Sequence, residues 1–257
     1  PAGSLVLPAD SPRTASTIQR LTDVYGIDAV SVCELPRDLV RLPRTRVAAH
    51  ADPSVAFVLR DLGFDVTAVT TTELAHLAAY DVLIVSGQMP LWERLAPAGQ
   101  RALSGYYRGG RRLIAMGTAG ADLVVSAGLA DLDVTITSPS FSGMATITGD
   151  RSDPLTAMYP EYMTLSFVAP AWFTYLPEDA HIVAELSPTG PLVTGHWPVW
   201  DDINPAGQPL IVRILHPTGT PITLFGIDPT HGALNRHAFG LLAQAIYAAI
   251  AATPPLA

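Results

Sequence analysis

No lysine occurs in the 257 residues, so all 15 basic side chains are arginine. That excludes a P-loop lysine and a Schiff-base lysine. There is one cysteine, Cys33, so no disulfide can close within the chain, and the count says nothing about compartment. Charge is sparse, at 15% of residues, and its balance is acidic, with a formal net charge of -8. With no basic stripe to neutralise phosphates, nucleic acid is excluded as a partner. No apolar run is long enough for a bilayer span; Leu241 to Ala252 is too short and is broken by Gln244. Zinc-peptidase spacing is also missing. The residues three places after each histidine are Pro53, Ala79, Ala184, Val199, Gly219, Leu234 and Gly240, and none is Glu. Neither a metal nor a cofactor is expected.

What is present is apolar. Hydrophobic residues make up 49% of the chain, enough for one large α/β domain or two small ones. The sequence opens Pro1-Ala2-Gly3, with no charged leader or signal-type apolar core. The expectation is that a leader was removed or that the chain is a piece of something longer.

Residues 1–44 read as a small βαβ appendage and linker. Its expected strands are Ser4–Leu7 and Ala29–Cys33. Between them a helix runs from Pro12 to about Tyr25, with Ser11 as cap and Pro12 at the first helical position. The main domain, 45–257, starts with a strand at Arg46–His50. Helices are expected over Pro53–Leu62, Thr72–Ala79, Pro97–Tyr107 and Thr118–Ala127. Strands are expected over Asp65–Val69, Asp81–Ser86 and Arg111–Met116. This alternation predicts a flavodoxin-like parallel sheet flanked by helices. Beyond residue 130 the pattern becomes short alternating strands punctuated by Gly and Pro, an antiparallel β extension. They are Val134–Ile136, Ala145–Thr148, Leu165–Val168, Ile182–Leu186, Leu192–Gly195, Leu210–Leu215 and Ile222–Phe225. A last helix is expected from about Ala233 to Ala252, with an apolar stripe that includes Leu234, Leu241, Ala245 and Ile250.

Arg112–Leu123 reads as strand, tight glycine turn and helix. Such a turn can present a nucleophile at the top of a parallel sheet. Here the candidate positions hold Gly117 and Thr118. In open α/β sheets ligands bind beyond the carboxyl ends of strands, which nominates His50, Ser86, Gln88, Thr118 and Asp228, with His231 just after. Two readings compete there. In one, Asp228 orients His231 or His50 as a base and Thr118 attacks or donates. In the other the site is degenerate, and Asp228 caps the last helix or binds turn amides. The Gly117 turn could hold an anion on free amides or simply pack tightly. Trp197 and Trp200, beside Asp201 and Asp202, could form a glycan- or peptide-stacking edge or a weak calcium site; the plainer reading is a loop packed on the domain. Cys33 is expected to be buried, and Trp172 and Phe173 to fill core.

Three stretches resemble the class I glutamine amidotransferase-like fold: Tyr80 to Gly87, the elbow around Gly117, and Leu224 to Pro229 before the last helix. In that family the first is the oxyanion strand, the second carries Cys and the third carries His-Pro-Glu. Gln88 stands here where a glycine is usual, Gly117 or Thr118 takes the cysteine position, and Asp228-Pro229-Thr230 replaces His-Pro-Glu. The resemblance therefore implies the scaffold without glutamine hydrolysis. The order of Gly109–Gly120, Thr194–Trp197, Phe225–Pro229 and Leu241–Tyr247 is also similar to the accessory domain that follows the catalytic domain in secreted bacterial zinc carboxypeptidases. That resemblance implies a non-catalytic, extracellular accessory domain, a pseudoenzyme whose partner is a peptidase catalytic domain or a peptide or glycan ligand. The alternatives are a hydrolase using Thr118, Asp228 and His231, or a free-standing carbohydrate- or peptide-binding module.

Overall fold

A computed structural model describes residues 6–7, 12–25, 28–34, 42–138, 140–197, 204–215 and 220–251. The chain divides into a unit of residues 3–41 and a unit of residues 42–257.

Among its described residues the first unit has one regular element, helix α1 (Pro12–Tyr25), as its Pro at the first position predicts. The two flanking strands are not found. Residues 6–7 and 28–34 are not in strands, while Ser4 and Leu5 lie outside the described residues. A lone strand pair is marginal in water, and Val30 and Val32 are exposed. Cys33 is exposed too, which corrects the expectation of a buried thiol.

The second unit is built on a ten-stranded sheet. Its parallel half contains β1 (Arg46–His50), β2 (Asp65–Ala68), β3 (Val82–Ser86), β4 (Arg112–Met116) and β12 (Pro221–Phe225). Their order is β2-β1-β3-β4-β12, with every neighbouring pair parallel. Helices α2 (Pro53–Asp61), α3 (Pro97–Arg108), α4 (Gly117–Ser126) and α5 (Phe239–Ala251) complete the layers. β3 is buried along its whole length, as expected for a central strand covered on both faces. Its side chains alternate between two cores. Val82 and Ile84 join α2 and α5, whereas Leu83 and Val85 join α3 and α4.

The antiparallel half continues from β12 through β11 (Pro209–Leu215) and β9 (His181–Leu186) to β6 (Ser142–Gly149). β6 also pairs with β7 (Tyr162–Val168) and β10 (Leu192–His196). β5 (Asp133–Ile136) leaves this sheet and pairs with β8 (Ala171–Tyr175), a strand absent from the sequence reading. Pro170 and the aromatics Trp172 and Phe173 masked the alternation there; both rings are core, as expected.

Two helical expectations need correction. Residues Glu73–Ala79 form a 3-10 turn broken at His76, not an α-helix. α5 begins at Phe239 rather than Ala233. Gly232 and Ala233 both have φ near +60°, and Asn235 turns inward so that its Nδ2 donates to Ser166 Oγ at 2.6 Å. Two short 3-10 turns result, and Leu234 is left exposed instead of lying on the apolar stripe. Tyr159 supplies a partner for the new helix start: its hydroxyl accepts from the Leu241 amide, with Gly240 leaving it room.

Candidate functional site

The strand order 2-1-3-4 reverses direction between β1 and β3, and a crevice opens there beyond the strand ends. β3 ends in Ser86, followed by Gly87 and Gln88. β4 feeds through Met116 into Gly117, and β12 runs on through Gly226 to Asp228 and His231. These residues, with Asp52 from the β1–α2 turn and Val168 from β7, line one small cleft. Its free volume is about 10 Å³, roughly the space of a single water.

Asp228 is the hub. Its Oδ2 accepts from Ser86 Oγ at 2.6 Å. Its Oδ1 accepts from the Thr230 amide at 2.7 Å and the Thr230 hydroxyl at 2.6 Å. Both carboxylate oxygens are thus engaged by neutral donors, and the turn after β12 is held by its own aspartate. Of the two roles weighed for the degenerate reading, turn binding is the one adopted; the helix start is too far along the chain for Asp228 to cap it. His231 lines the same cleft, but its link to Asp228 is through backbone, its amide donating to the Asp228 carbonyl at 3.2 Å.

The elbow settles which residue stands where a nucleophile would. Gly117 has φ +62°, the left-handed conformation of a sharp strand-to-helix turn, and lines the cleft. Thr118 is one residue further, buried inside α4, and its hydroxyl donates to the Ala169 carbonyl at 3.3 Å. It does not line the cleft with Asp228 and His231. One amide of the helix start is already engaged, the Ala119 N–H donating to the Gly87 carbonyl at 3.0 Å. Gly120 is a packing residue: a Cβ there would meet the Ala115 backbone at 2.6 Å.

Of the remaining candidates, His50 stands at the end of β1 with Nδ1 2.9 Å from the Val69 carbonyl, outside the cleft lining. Trp197 packs against aromatic core residues. Its ring lies 5.7 Å from Trp172, nearly parallel, and meets Phe141 and Phe167 edge-on at 5.5 and 5.4 Å. The plainer reading of a packed loop fits Trp197; Trp200, Asp201 and Asp202 lie outside the described residues. Asp52, Gly87 and Val168 were missed. Asp52 precedes Pro53 at the α2 start, which was the available signal; Val168 arrives from the antiparallel extension and had none. Among the described residues no group of three His, Cys, Asp or Glu could hold a metal ion. No helix among them is long and apolar enough to cross a membrane.

No family model matches the sequence, and no curated protein is significantly similar to it. Solved structures do match. A glutamine amidotransferase from Thermotoga maritima superposes with a TM-score of 0.54 at 10% identity, covering 81% of this chain and 99% of that one. The fold is amidotransferase-like. A protein assigned as one subunit of GMP synthase, from Thermoplasma acidophilum, gives 0.58 at 15% identity, covering 82% of this chain and 96% of that one. A ThuA-like protein from Bacteroides uniformis gives 0.57 at 15%, covering 83% and 94%. At these identities the likeness concerns the amidotransferase-like scaffold alone. The antiparallel extension delivers Val168 to the cleft.

Proposed function

We propose that this chain is a non-catalytic binding or scaffolding domain that keeps an amidotransferase-like scaffold around a degenerate site. One observation carries the reading. Gly117 holds the left-handed elbow position, so no side-chain atom is there to attack a carbonyl. Two others support it. Asp228 already accepts three hydrogen bonds, and the cleft has space for about one water. We place the domain in a secreted protein like the zinc carboxypeptidases, beside a peptidase catalytic domain. The order of its sequence motifs supports that finer assignment.

The test is a broad glutamine, amide, ester and peptide panel, run on the purified chain and on Asp228→Ala and Thr118→Ala. No turnover above blank is expected from any of the three. Turnover by the wild type that vanishes in Asp228→Ala would establish a hydrolase instead. The gene upstream of Pro1 tests the finer assignment: a preceding His-x-x-Glu peptidase domain is expected, and its absence removes the carboxypeptidase link.

A further inference from the structure

Helix α3 bears a second cleft whose residues differ from those of the degenerate site. Its volume is about 400 Å³, against roughly 300–1,000 Å³ for ligand sites in general. Trp92 forms one wall, and its backbone is held at both the N–H and the C=O. The Trp92 amide donates to Asp122 Oδ2 at 3.0 Å, and its carbonyl accepts from Gln100 Nε2 at 3.0 Å. The backbone that carries the indole is therefore set before anything packs on it.

The other wall is cationic. Arg101, Gly105 and Arg108 are spaced i, i+4 and i+7, so they share one face of α3, with the arginine Cα atoms about 10 Å apart along the axis. α3 contains no Asp or Glu, although the chain as a whole carries a net charge of -8. The aromatic wall's sequence neighbour Glu93 does not line the cleft. Among the described residues, neither guanidinium has a hydrogen-bond or ion-pair partner. The glycine between them is unexplained by packing: a Cβ on Gly105 would meet nothing within 4 Å. Alanine would favour the helix by about 1 kcal/mol, yet the position is left bare, and the cleft stays open between the two charges.

From these features we infer that this face of α3 docks an acidic peptide segment of a partner protein. Carboxylates spaced along the segment pair with Arg101 and Arg108 in the bidentate manner guanidinium favours. An apolar residue between them lies against Trp92, in the space Gly105 leaves. The cleft is open along its length, which suits an extended segment better than a small molecule needing enclosure. The inference does not rest on the reading of the site at Asp228; a hydrolase would carry this surface equally well.

Fluorescence anisotropy with a labelled twelve-residue peptide of alternating glutamate and leucine tests it, at low salt and with the full chain. Wild type binds, and the matching glutamine–leucine peptide does not. Arg101→Ala/Arg108→Ala weakens binding at least about tenfold. Gly105→Leu does the same by filling the cleft, while its better helix propensity keeps the thermal midpoint from falling. Failure of the wild type to bind overturns the inference. So does undiminished binding by both variants, or displacement of the peptide by inorganic phosphate at equal concentration, which marks a general anion site.

Discussion

Ser86 and Asp228, 142 positions apart in sequence, meet at 2.6 Å where β3 and β12 end, with Ser86 Oγ donating to the carboxylate. Strand β4 lies between β3 and β12, so this bond spans the sheet end directly in front of the Gly117 elbow. Ser86→Ala leaves one half-buried carboxylate oxygen without its donor and is expected to cost about 1 kcal/mol. Asp228→Ala frees Ser86 and both Thr230 donors together and should cost more, about 2–3 kcal/mol. Urea denaturation of the two variants checks the order. Equal stability of Asp228→Ala and wild type would mean the turn after β12 does not depend on its aspartate.

The start of α5 depends on Gly240. A Cβ there would lie 2.5 Å from the Tyr159 hydroxyl, the group that accepts from the Leu241 amide. Burial pushes the Tyr159 pKa up to about 12, with the Leu241 amide pulling the other way, so the hydroxyl stays neutral across the ordinary pH range. Gly240→Ala is expected to destabilise by about 1–3 kcal/mol through overpacking. Combining it with Tyr159→Phe, which removes the clashing oxygen, should cost less than the two single changes summed. The double-mutant cycle reads that coupling, and strict additivity would show that the two residues do not share a contact.

Asp81 predicts an acid dependence. It caps the amino end of the sheet, accepting the Arg46 amide at 3.0 Å and pairing with the Arg46 and Arg111 guanidinium groups at 3.4 and 3.3 Å. Burial pushes its pKa up, but the Arg46 hydrogen bonds and the two positive charges outweigh burial and hold it below the ordinary carboxylate value. A folded-state pKa below the unfolded one contributes stability at neutral pH that disappears as pH falls through the folded value. Wild type should therefore lose stability below about pH 4 more steeply than Asp81→Asn. Parallel unfolding curves from pH 5 to pH 2 make the comparison, and identical slopes for the two proteins would refute the assignment.

Much of the scaffold could be read from local pattern. Pro12, Pro53 and Pro97 mark real helix starts, and the unbroken apolar run Val82–Val85 announces a strand covered on both sides. Pattern failed where a distant partner decided the backbone. Ala233 and Leu234 sit in a helical apolar rhythm, yet Asn235 is drawn to Ser166 on β7, and the chain turns twice before it can coil. Ala29–Cys33 alternates like a strand, yet its residues are not in one. The cleft was half legible. Ser86, Gln88, Asp228 and His231 follow from the rule that sites lie beyond strand ends, and Gly117 from the glycine turn after β4. Thr118 did not, because one residue along a helix rotates a side chain by about 100°, enough to turn it from the crevice into the interior.

By itself the sequence determined the layering, since hydrophobic period fixes which residues can be covered. Tertiary structure alone decided that Asp228 is taken by Ser86 and Thr230, that Trp197 packs against Trp172, and that Arg101 and Arg108 face an open cleft. The physical reason is range. Periodicity and propensity act over a few residues, whereas a hydrogen bond between the ends of two strands exists only once the sheet has brought them within about 3 Å.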